Sequence, residues 1–180
     1  MKNQNTKKLA YAALFLALCL VLPMLTGQIP QIGSMLLPMH IPVLLCGLVC
    51  GWQYGAAVGF VAPLLRSVLF GMPPMYPVAI AMAFELLTYG LVIGLVYRRM
   101  AQKGAAGVYA ALLIALVAGR LVWGVAEVVL LGLGGKAFTA QAFLAGALLN
   151  AVPGIIVQLL LIPAVMAALQ KAGAVKEYAE

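Results

Sequence analysis

Long runs of apolar residues, separated by short segments rich in glycine, proline and polar residues, make up most of this chain. The runs predict six helices, at about 9–25, 39–50, 56–70, 78–97, 107–133 and 140–169. The apolar segment 38–70 would measure about 50 Å as one helix, too long for the roughly 30 Å core of a bilayer, so we place a break at 51–55. The pattern predicts an all-α integral membrane protein, a six-transmembrane-helix bundle forming a single domain over residues 1–180.

The composition excludes an ordinary soluble domain. Hydrophobic residues occupy 66% of the 180 positions and charged residues only 8%. The apolar runs are continuous, whereas strands of a membrane barrel alternate over roughly ten residues, so helices are favoured. The net charge of +7 does not indicate nucleic acid, because the basic residues lie at the ends of the predicted helices and not on one soluble face.

The basic residues also predict the orientation in the lipid bilayer, since cytoplasmic loops carry the excess of lysine and arginine. With both termini cytoplasmic, the cytoplasmic basic residues are Lys2, Lys7, Lys8, Arg98, Arg99, Lys103, Lys171 and Lys176. Lys136 alone would then lie outside. The connections after the first, third and fifth predicted helices are therefore expected to be external.

The fifth predicted helix, 107–133, carries charged residues within a membrane-length apolar segment. Arg120, Trp123 and Glu127 fall within about 60° of one another at about 100° per residue, so they form one stripe. Each charge at bilayer depth costs about 2.5–3.5 kcal/mol, so it is expected to face a partner or a polar cavity. Two interpretations follow, a structural Arg–Glu pair that joins two helices or a binding pocket, and the partner of Arg120 is either Glu85 or Glu127.

Other polar residues fall in the same outward half of the predicted bundle. Asn150, Gly154 and Gln158 share one face of the sixth predicted helix. The full set of candidate substrate-binding residues is Glu85, Tyr89, Arg120, Trp123, Glu127, Asn150, His40 and Arg66. Two arginines and two glutamates balance, which favours a neutral, zwitterionic or singly charged solute, and the aromatic rings could stack on a ring of that solute.

Several other functions find no support in the motifs. The chain has no phosphate-binding loop and no hydrolase or metalloprotease motif, so neither an enzyme nor an ATPase of its own is predicted, and no cofactor is expected. A single histidine and the spacing of Cys19, Cys46 and Cys50 do not match a metal site, and we interpret the cysteines as packing residues. Ala10, Ala13 and Ala17 form a strip of small residues on the first predicted helix, which would allow another helix to approach closely.

The chain resembles the substrate-binding S component of energy-coupling factor (ECF) vitamin transporters over nearly its whole length. The resemblance lies in the basic N-terminus that leads into the alanine-rich segment 10–17, in Leu37-Pro-Met-His-Ile-Pro-Val-Leu-Leu-Cys-Gly47, in the glycine-rich 51–59, and in 63–67, 71–77 and 150–156. Their order, together with six short spans and the chain length, makes the similarity specific. No signature for thiamin, biotin, riboflavin or cobalamin stands out.

The resemblance implies a multi-pass protein of the bacterial cytoplasmic membrane that captures a vitamin or vitamin precursor from outside. Predicted helices 4 to 6 would supply much of the pocket, beneath the external connections. The strip with Ala13 and Ala17 would dock on a membrane coupling subunit, which sits on two cytoplasmic ATPase subunits. Two alternatives stay open at this point, a self-contained secondary permease or channel and a scaffold subunit without a ligand.

Overall fold

A computed structural model describes residues 2–25, 35–135, 139–146 and 150–173, and this part of the chain is helical without strands. The helices are α1 (Lys2–Leu25), α2 (His40–Cys50), α3 (Trp52–Phe70), α4 (Ile80–Met100), α5 (Ala105–Leu133), α6 (Ala140–Leu144) and α7 (Val152–Lys171). A π-helical turn, Met75–Ala79, leads into α4, and a 3-10 turn, Ala101–Lys103, follows it.

The helical membrane protein predicted from the apolar pattern is confirmed, with five candidate spans in the described residues. They are Asn5–Leu25, Trp52–Phe70, Met75–Met100, Ala105–Leu133 and Val152–Lys171. The remaining apolar helix, α2, has only 11 residues. It is about 16 Å long, roughly half the thickness of the hydrocarbon core. A sixth crossing, and the side on which the termini lie, therefore stay predictions.

The helix predicted over 140–169 is instead two helices, α6 and α7. The hydroxyl of Thr139 accepts a hydrogen bond from the backbone N–H of Ala142 at 3.2 Å and so caps the start of α6. Pro153 lies in the first turn of α7, where a proline is favoured because its missing N–H has no partner to lose. Pro153 thus begins a helix and does not bend one, whereas Pro163 lies inside α7.

The break predicted at 51–55 is shorter than expected. Gly51, with φ of 97°, separates α2 from α3 by itself, and α3 begins at Trp52. A positive φ of this size is readily adopted only by glycine, so one residue suffices for the turn. The third predicted helix therefore begins four residues earlier than the 56 assigned from the sequence.

Side-chain contacts show which helix ends lie together. These contacts are Cys19 Sγ to the Met39 carbonyl at 3.6 Å, Arg66 Nη1 donating to the Leu20 carbonyl, and the Tyr76 hydroxyl donating to the Leu130 carbonyl. The end of α1, the start of α2, the end of α3, the start of α4 and the end of α5 therefore share one end of the bundle. At the opposite end Gln170 of α7 donates to the Tyr97 hydroxyl of α4 at 3.2 Å, so α4 and α7 run in the same direction.

Six basic residues of the described part, all except Lys2, Arg66 and Arg120, are placed at this second end, which we call the basic end. Its basic residues are Lys7, Lys8, Arg98, Arg99, Lys103 and Lys171. They belong to the start of α1, the end of α4, the 3-10 turn and the end of α7. This is the segregation of charge that the sequence predicted for one face of the membrane.

Glycines allow the backbone of α4 to approach the backbone of α3 closely. A Cβ atom added at Gly90 of α4 would collide with the Gly55 carbonyl of α3 and lie 2.7 Å from the backbone nitrogen of Ala56. Gly94, one turn further along α4, faces the backbone of Trp52 in the same way. In lipid, close packing of this kind replaces the hydrophobic effect as the force that associates helices.

The buried core surrounds this contact. The three cysteines are free and buried among apolar side chains, as expected of packing residues. On α1 the inward residues are Ala12, Phe15 and Cys19, spaced so that one face of the helix packs on α2 and α3. The α3–α4 contact thereby fixes the helix from which the buried carboxylate Glu85 projects.

We expect Gly90→Ala to lower the free energy of unfolding by about 1–3 kcal/mol, because the added methyl group overpacks the α3–α4 contact. The measurement is denaturation of the purified protein in mixed detergent micelles. Gly132→Ala on α5 is the matched control, since a Cβ there meets nothing within 4 Å and alanine favours a helix. Equal stability of the two variants would contradict a tight α3–α4 interface.

Candidate functional site

Glu85 is the centre of a buried polar cluster. Its Oε1 atom accepts a hydrogen bond from the Tyr89 hydroxyl at 3.0 Å and lies 3.0 Å from Arg120 Nη1. His40 Nε2 lies 3.6 Å from the same oxygen. Glu85 and His40 are each 1% exposed and Tyr89 is 0% exposed. We call His40, Glu85, Tyr89 and Arg120 the Glu85 cluster.

The Glu85 cluster forms because three helices meet there. Glu85 and Tyr89 are four residues apart on α4 and so share a face. His40 is the first residue of α2, and its ring lies 5.3 Å from the Tyr89 ring at an interplanar angle of 58°. Gly119 of α5 leaves room for the Tyr89 ring, since a Cβ there would lie 2.8 Å from Tyr89 Cζ.

This geometry answers which glutamate pairs with Arg120. The partner is Glu85 on the neighbouring helix α4. The side chains of Arg120 and Glu85 are 12% and 2% exposed, so the ion pair is buried. Removing one partner of such a pair leaves an uncompensated charge in a medium of low dielectric constant, so the pair holds α4 and α5 in register.

The Glu85 cluster lies deep in the bundle and away from the basic end. Glu85 precedes the end of α4 at Met100 by about 22 Å, at about 1.5 Å per residue. Arg120 follows the start of α5 at Ala105 by about the same distance. Ionisable residues at such depth are rare and face the protein interior, as these do.

Several polar atoms of this region have no hydrogen-bond partner within the described residues. They are His40 Nδ1 and Nε2, Arg120 Nε and Nη2, and Gln158 Nε2 and Oε1. Most buried polar groups in native proteins are paired, so unpaired ones indicate a place for a ligand or for water. The sequence showed Gln158 on one face with Gly154 and Asn150, but only Asn150 of these was selected as a candidate.

Trp123 and Glu127 continue the stripe predicted on α5. The Arg120 guanidinium lies 5.9 Å from the centre of the Trp123 ring, within range of a cation–π contact. The Trp123 ring also stacks on the Phe143 ring of α6, with 6.1 Å between the ring centres and an interplanar angle of 25°. Glu127 is 7% exposed, and no cation among the described residues forms a salt bridge with it. The predicted stripe therefore joins the Glu85 cluster at Arg120.

Arg66 and Asn150 lie apart from the Glu85 cluster. Arg66 is 3% exposed, but its guanidinium donates to the Leu20 carbonyl of α1 and lies 5.3 Å from the Phe70 ring. Asn150 is exposed, just before α7. Their part in binding was inferred from helix position alone, and it stays a prediction.

A surface cavity of about 350 Å³ lies beside the stripe rather than around the Glu85 cluster. Its lining residues are Leu121, Gly124, Val125, Val128, Val129, Thr139 and Phe143. The cavity is apolar apart from the Thr139 hydroxyl, which caps α6. Phe143 connects its wall to Trp123 and thereby to Arg120. The residues of the Glu85 cluster are thus packed together, and the groove beside them is apolar.

Two further sequence inferences can be placed on the structure. Ala10, Ala13 and Ala17 are all exposed on α1, on the side away from the buried Ala12 and Phe15. The strip is therefore accessible to another helix. Among the described residues, no group of three or more histidine, cysteine, aspartate or glutamate side chains could hold a metal ion.

Comparison with known proteins identifies one family. A family model described as "ECF transporter, substrate-specific component" matches residues 7–167, nearly the whole chain. Neither the curated proteins nor the solved structures contain a significant match. The match includes every residue of the Glu85 cluster, the α5 stripe and the alanine strip.

Single substitutions Glu85→Leu and Arg120→Leu are each expected to lower the free energy of unfolding by about 3–5 kcal/mol, because each leaves a buried charge without its partner. The decrease in the free energy of unfolding of the double variant should be smaller than the sum of the decreases of the two single variants. Denaturation of all four proteins in mixed micelles gives the coupling energy. If the two single effects add up to the effect of the double variant within about 0.5 kcal/mol, the ion pair does not contribute to stability.

Proposed function

Because this chain belongs to the family of ECF transporter substrate-specific components, we propose that it captures a small vitamin or vitamin precursor outside a bacterial cell. It then delivers the solute across the cytoplasmic membrane as part of an ATP-driven importer. The family makes the chain a transport subunit of a membrane complex. The single observation that supports capture most directly is the Glu85 cluster, with its unpaired donors deep inside the bundle.

The chemistry of the Glu85 cluster favours an organic solute with a heteroaromatic ring. His40 and Tyr89 present two aromatic rings, and Trp123 adds a third beside Arg120. Buried donors and acceptors then bind the polar edge of the ring, as in most small-molecule sites. Since Glu85 and Arg120 neutralise each other, the site suits a neutral or zwitterionic solute better than a polyanion.

The charge distribution supports an orientation with the basic end in the cytoplasm. In that orientation both termini are cytoplasmic, α2 together with its flanking residues completes a sixth crossing, and the start of α2 faces outward. His40 and Glu85 then lie in the outer half of the membrane, where a solute from outside would reach them. The polar groups are thus on the side of the bundle that capture requires.

The exposed alanine strip of α1 is the proposed docking face for the membrane coupling subunit, which is associated with two ATPase subunits. Side chains as small as Ala10, Ala13 and Ala17 allow two helix backbones to approach closely. Docking through α1 leaves α4, α5 and α7 free of the contact, so the binding site and the docking face are separate. Ligand capture and docking can therefore be tested independently.

The capture proposal predicts that one member of a panel of pyridoxine, hydroxymethylpyrimidine, pantothenate and a benzimidazole raises the melting temperature of the purified protein. A ligand that binds only the native state stabilises it in this way. Glu127→Ala is expected to abolish the shift, since it removes the buried carboxylate beside Trp123. Val117→Ala is the matched control, because Val117 is 62% exposed on the same helix and does not line the cavity.

Both variants should keep the helical content and elution volume of the parent protein. A full ligand-induced shift in Glu127→Ala would remove Glu127 from the site. If no compound of the panel changed the melting temperature of the parent protein, this would count against capture of such solutes. Uptake of the same compounds by liposomes that contain this chain alone, without ATPases, would favour the self-contained permease.

The docking proposal predicts that Ala13→Trp prevents co-purification with the coupling subunit, because the indole fills the close-approach surface of α1. Ligand-induced stabilisation should stay as in the parent protein. Leu160→Trp is the control, since Leu160 is 68% exposed on α7 and lies outside the strip. Normal co-purification of Ala13→Trp would show that another face of the bundle docks.

A further inference from the structure

Gln158 is a buried polar residue that the packing of the bundle does not explain. It is 0% exposed, and neither atom of its amide has a hydrogen-bond partner among the described residues. The residues that follow it at intervals of one turn on the inward face of α7 are Ile162 and Met166, which are apolar. A leucine would fit such a position at lower cost, since a buried amide without a partner is destabilising.

The contact between α4 and α7 at the basic end gives the depth of Gln158. Gln170 of α7 bonds to Tyr97 of α4, and the two helices run in the same direction. Residue 158 lies about 18 Å before residue 170 along α7, and residue 85 lies the same distance before residue 97 along α4. Both residues are therefore about 18 Å further from the basic end. Gln158 is therefore level with Glu85.

Each of the two helices presents a buried stripe with four-residue spacing at these levels. On α4 the stripe comprises Glu85, Tyr89, Ile93 and Tyr97. On α7 it comprises Gly154, Gln158, Ile162 and Met166. Helix α7 packs on α2 and α5. These are the two helices that supply His40 and Arg120 to the Glu85 cluster.

A second contact gives the same depth independently. A Cβ at Gly154 would lie 2.6 Å from the carbonyl oxygen of Met35 and 3.0 Å from that of Leu36. Gln158 is one turn deeper on α7, and His40, which begins α2, follows the segment 35–36 closely in the chain. Gln158 is thus level with His40 as well as with Glu85.

The unpaired atoms at this level have a definite hydrogen-bonding character. Arg120 uses Nη1 for Glu85, and its Nε and Nη2 atoms, the edge of the guanidinium that presents two parallel N–H groups, are unpaired. The Gln158 amide offers a donor group, Nε2, and an acceptor atom, Oε1. A ligand that satisfies both residues needs an acceptor oxygen together with an adjacent donor, which is the edge of a carboxamide or of a lactam ring.

Charge distinguishes this ligand from a carboxylate, which also binds arginine edges. The charge of Arg120 is already neutralised by Glu85, and Glu127 is a further buried acid on the same helix. A carboxylate ligand would add another negative charge to this region without a new counter-ion among the described residues. Desolvating that charge is costly, whereas an amide carries the same acceptor without it.

We propose that Gln158, together with the Nε–Nη2 edge of Arg120, selects an uncharged planar solute through its carboxamide or lactam edge. The proposal rests on the proposed function, in that it assigns the substrate class of the same site. His40 and Tyr89 border the ring of the solute, while Gln158 and Arg120 form hydrogen bonds with its polar edge. Gln158 is then a specificity-determining residue.

The test uses the full-length protein and the substitution Gln158→Leu, with melting temperature and titration as readouts. The probes are nicotinamide and riboflavin, which have uncharged amide or lactam edges, nicotinate and pantothenate, which are carboxylates, and thiamin, which is a cation. Nicotinamide and nicotinate differ only in the polar group. We expect stabilisation by an uncharged probe and none by nicotinate.

In Gln158→Leu the affinity for that uncharged probe should fall by about 10- to 100-fold, as expected when buried polar groups of a ligand lose their partner. The melting temperature of the unliganded variant should stay the same or rise, because an unpaired buried amide is removed. Gln170→Leu is the matched control on the same helix. It should lower the melting temperature slightly, through loss of the bond to Tyr97, and keep the affinity.

The outcomes separate this proposal from the proposed function. Stabilisation by the carboxylates or thiamin alone would overturn the amide selectivity while capture stands. Unchanged affinity of Gln158→Leu for an uncharged probe, or a lower melting temperature with unchanged affinity, would make Gln158 a structural residue and overturn the proposal. Stabilisation by none of these probes would overturn the amide selectivity, and capture would be overturned as well only if the panel of the proposed function also gave no stabilisation.

Discussion

The ion pair between Glu85 and Arg120 is the interaction on which the arrangement of this bundle depends. A single charge in the hydrocarbon core is costly, and two charges from different helices are tolerated only while they remain in contact. The pair therefore requires α4 and α5 to keep one relative depth. The glycines that bring α4 onto α3, among them Gly90, give this central helix a fixed position from which the carboxylate projects. Tyr89 and His40 then converge on the same oxygen, so that a charge network rather than an apolar contact marks the centre of the protein.

Most of the fold could be predicted from the sequence because membrane helices follow from composition and length alone. Charges inside apolar runs also identified Glu85 and Arg120 as residues that must find partners. The choice between Glu85 and Glu127 could not be predicted, because it depends on the relative depth of α4 and α5, which no local pattern encodes. The break before α7 was missed for a related reason: Pro153 is compatible with a bend inside a helix and with the first turn of a new one, and the capping residue Thr139 is a common type.

Burial was the least predictable property of the candidate site. In a soluble helix the polar face marks the surface, but in lipid both surface and core are apolar, so Asn150 and Gln158 look alike in the sequence. Only the packing of α7 on α2 and α5 separates them, leaving Asn150 exposed and Gln158 enclosed. Arg66 shows the same difficulty, since its hydrogen-bond acceptor is a backbone carbonyl on α1 that no side-chain pattern reveals. The charged candidates could thus be identified from the sequence, whereas the residues that contact them could be identified only from the structure.

The short length of α2 affects how a solute could reach the Glu85 cluster. Because this helix has 11 residues and begins at His40, the imidazole lies well below the level at which the longer spans end. Leu37 and Met39, just before α2, are buried beside it. Separating α4 from α5 would break a buried ion pair. In the proposed function, a solute that enters past the beginning of α2 would leave the ion pair between α4 and α5 intact.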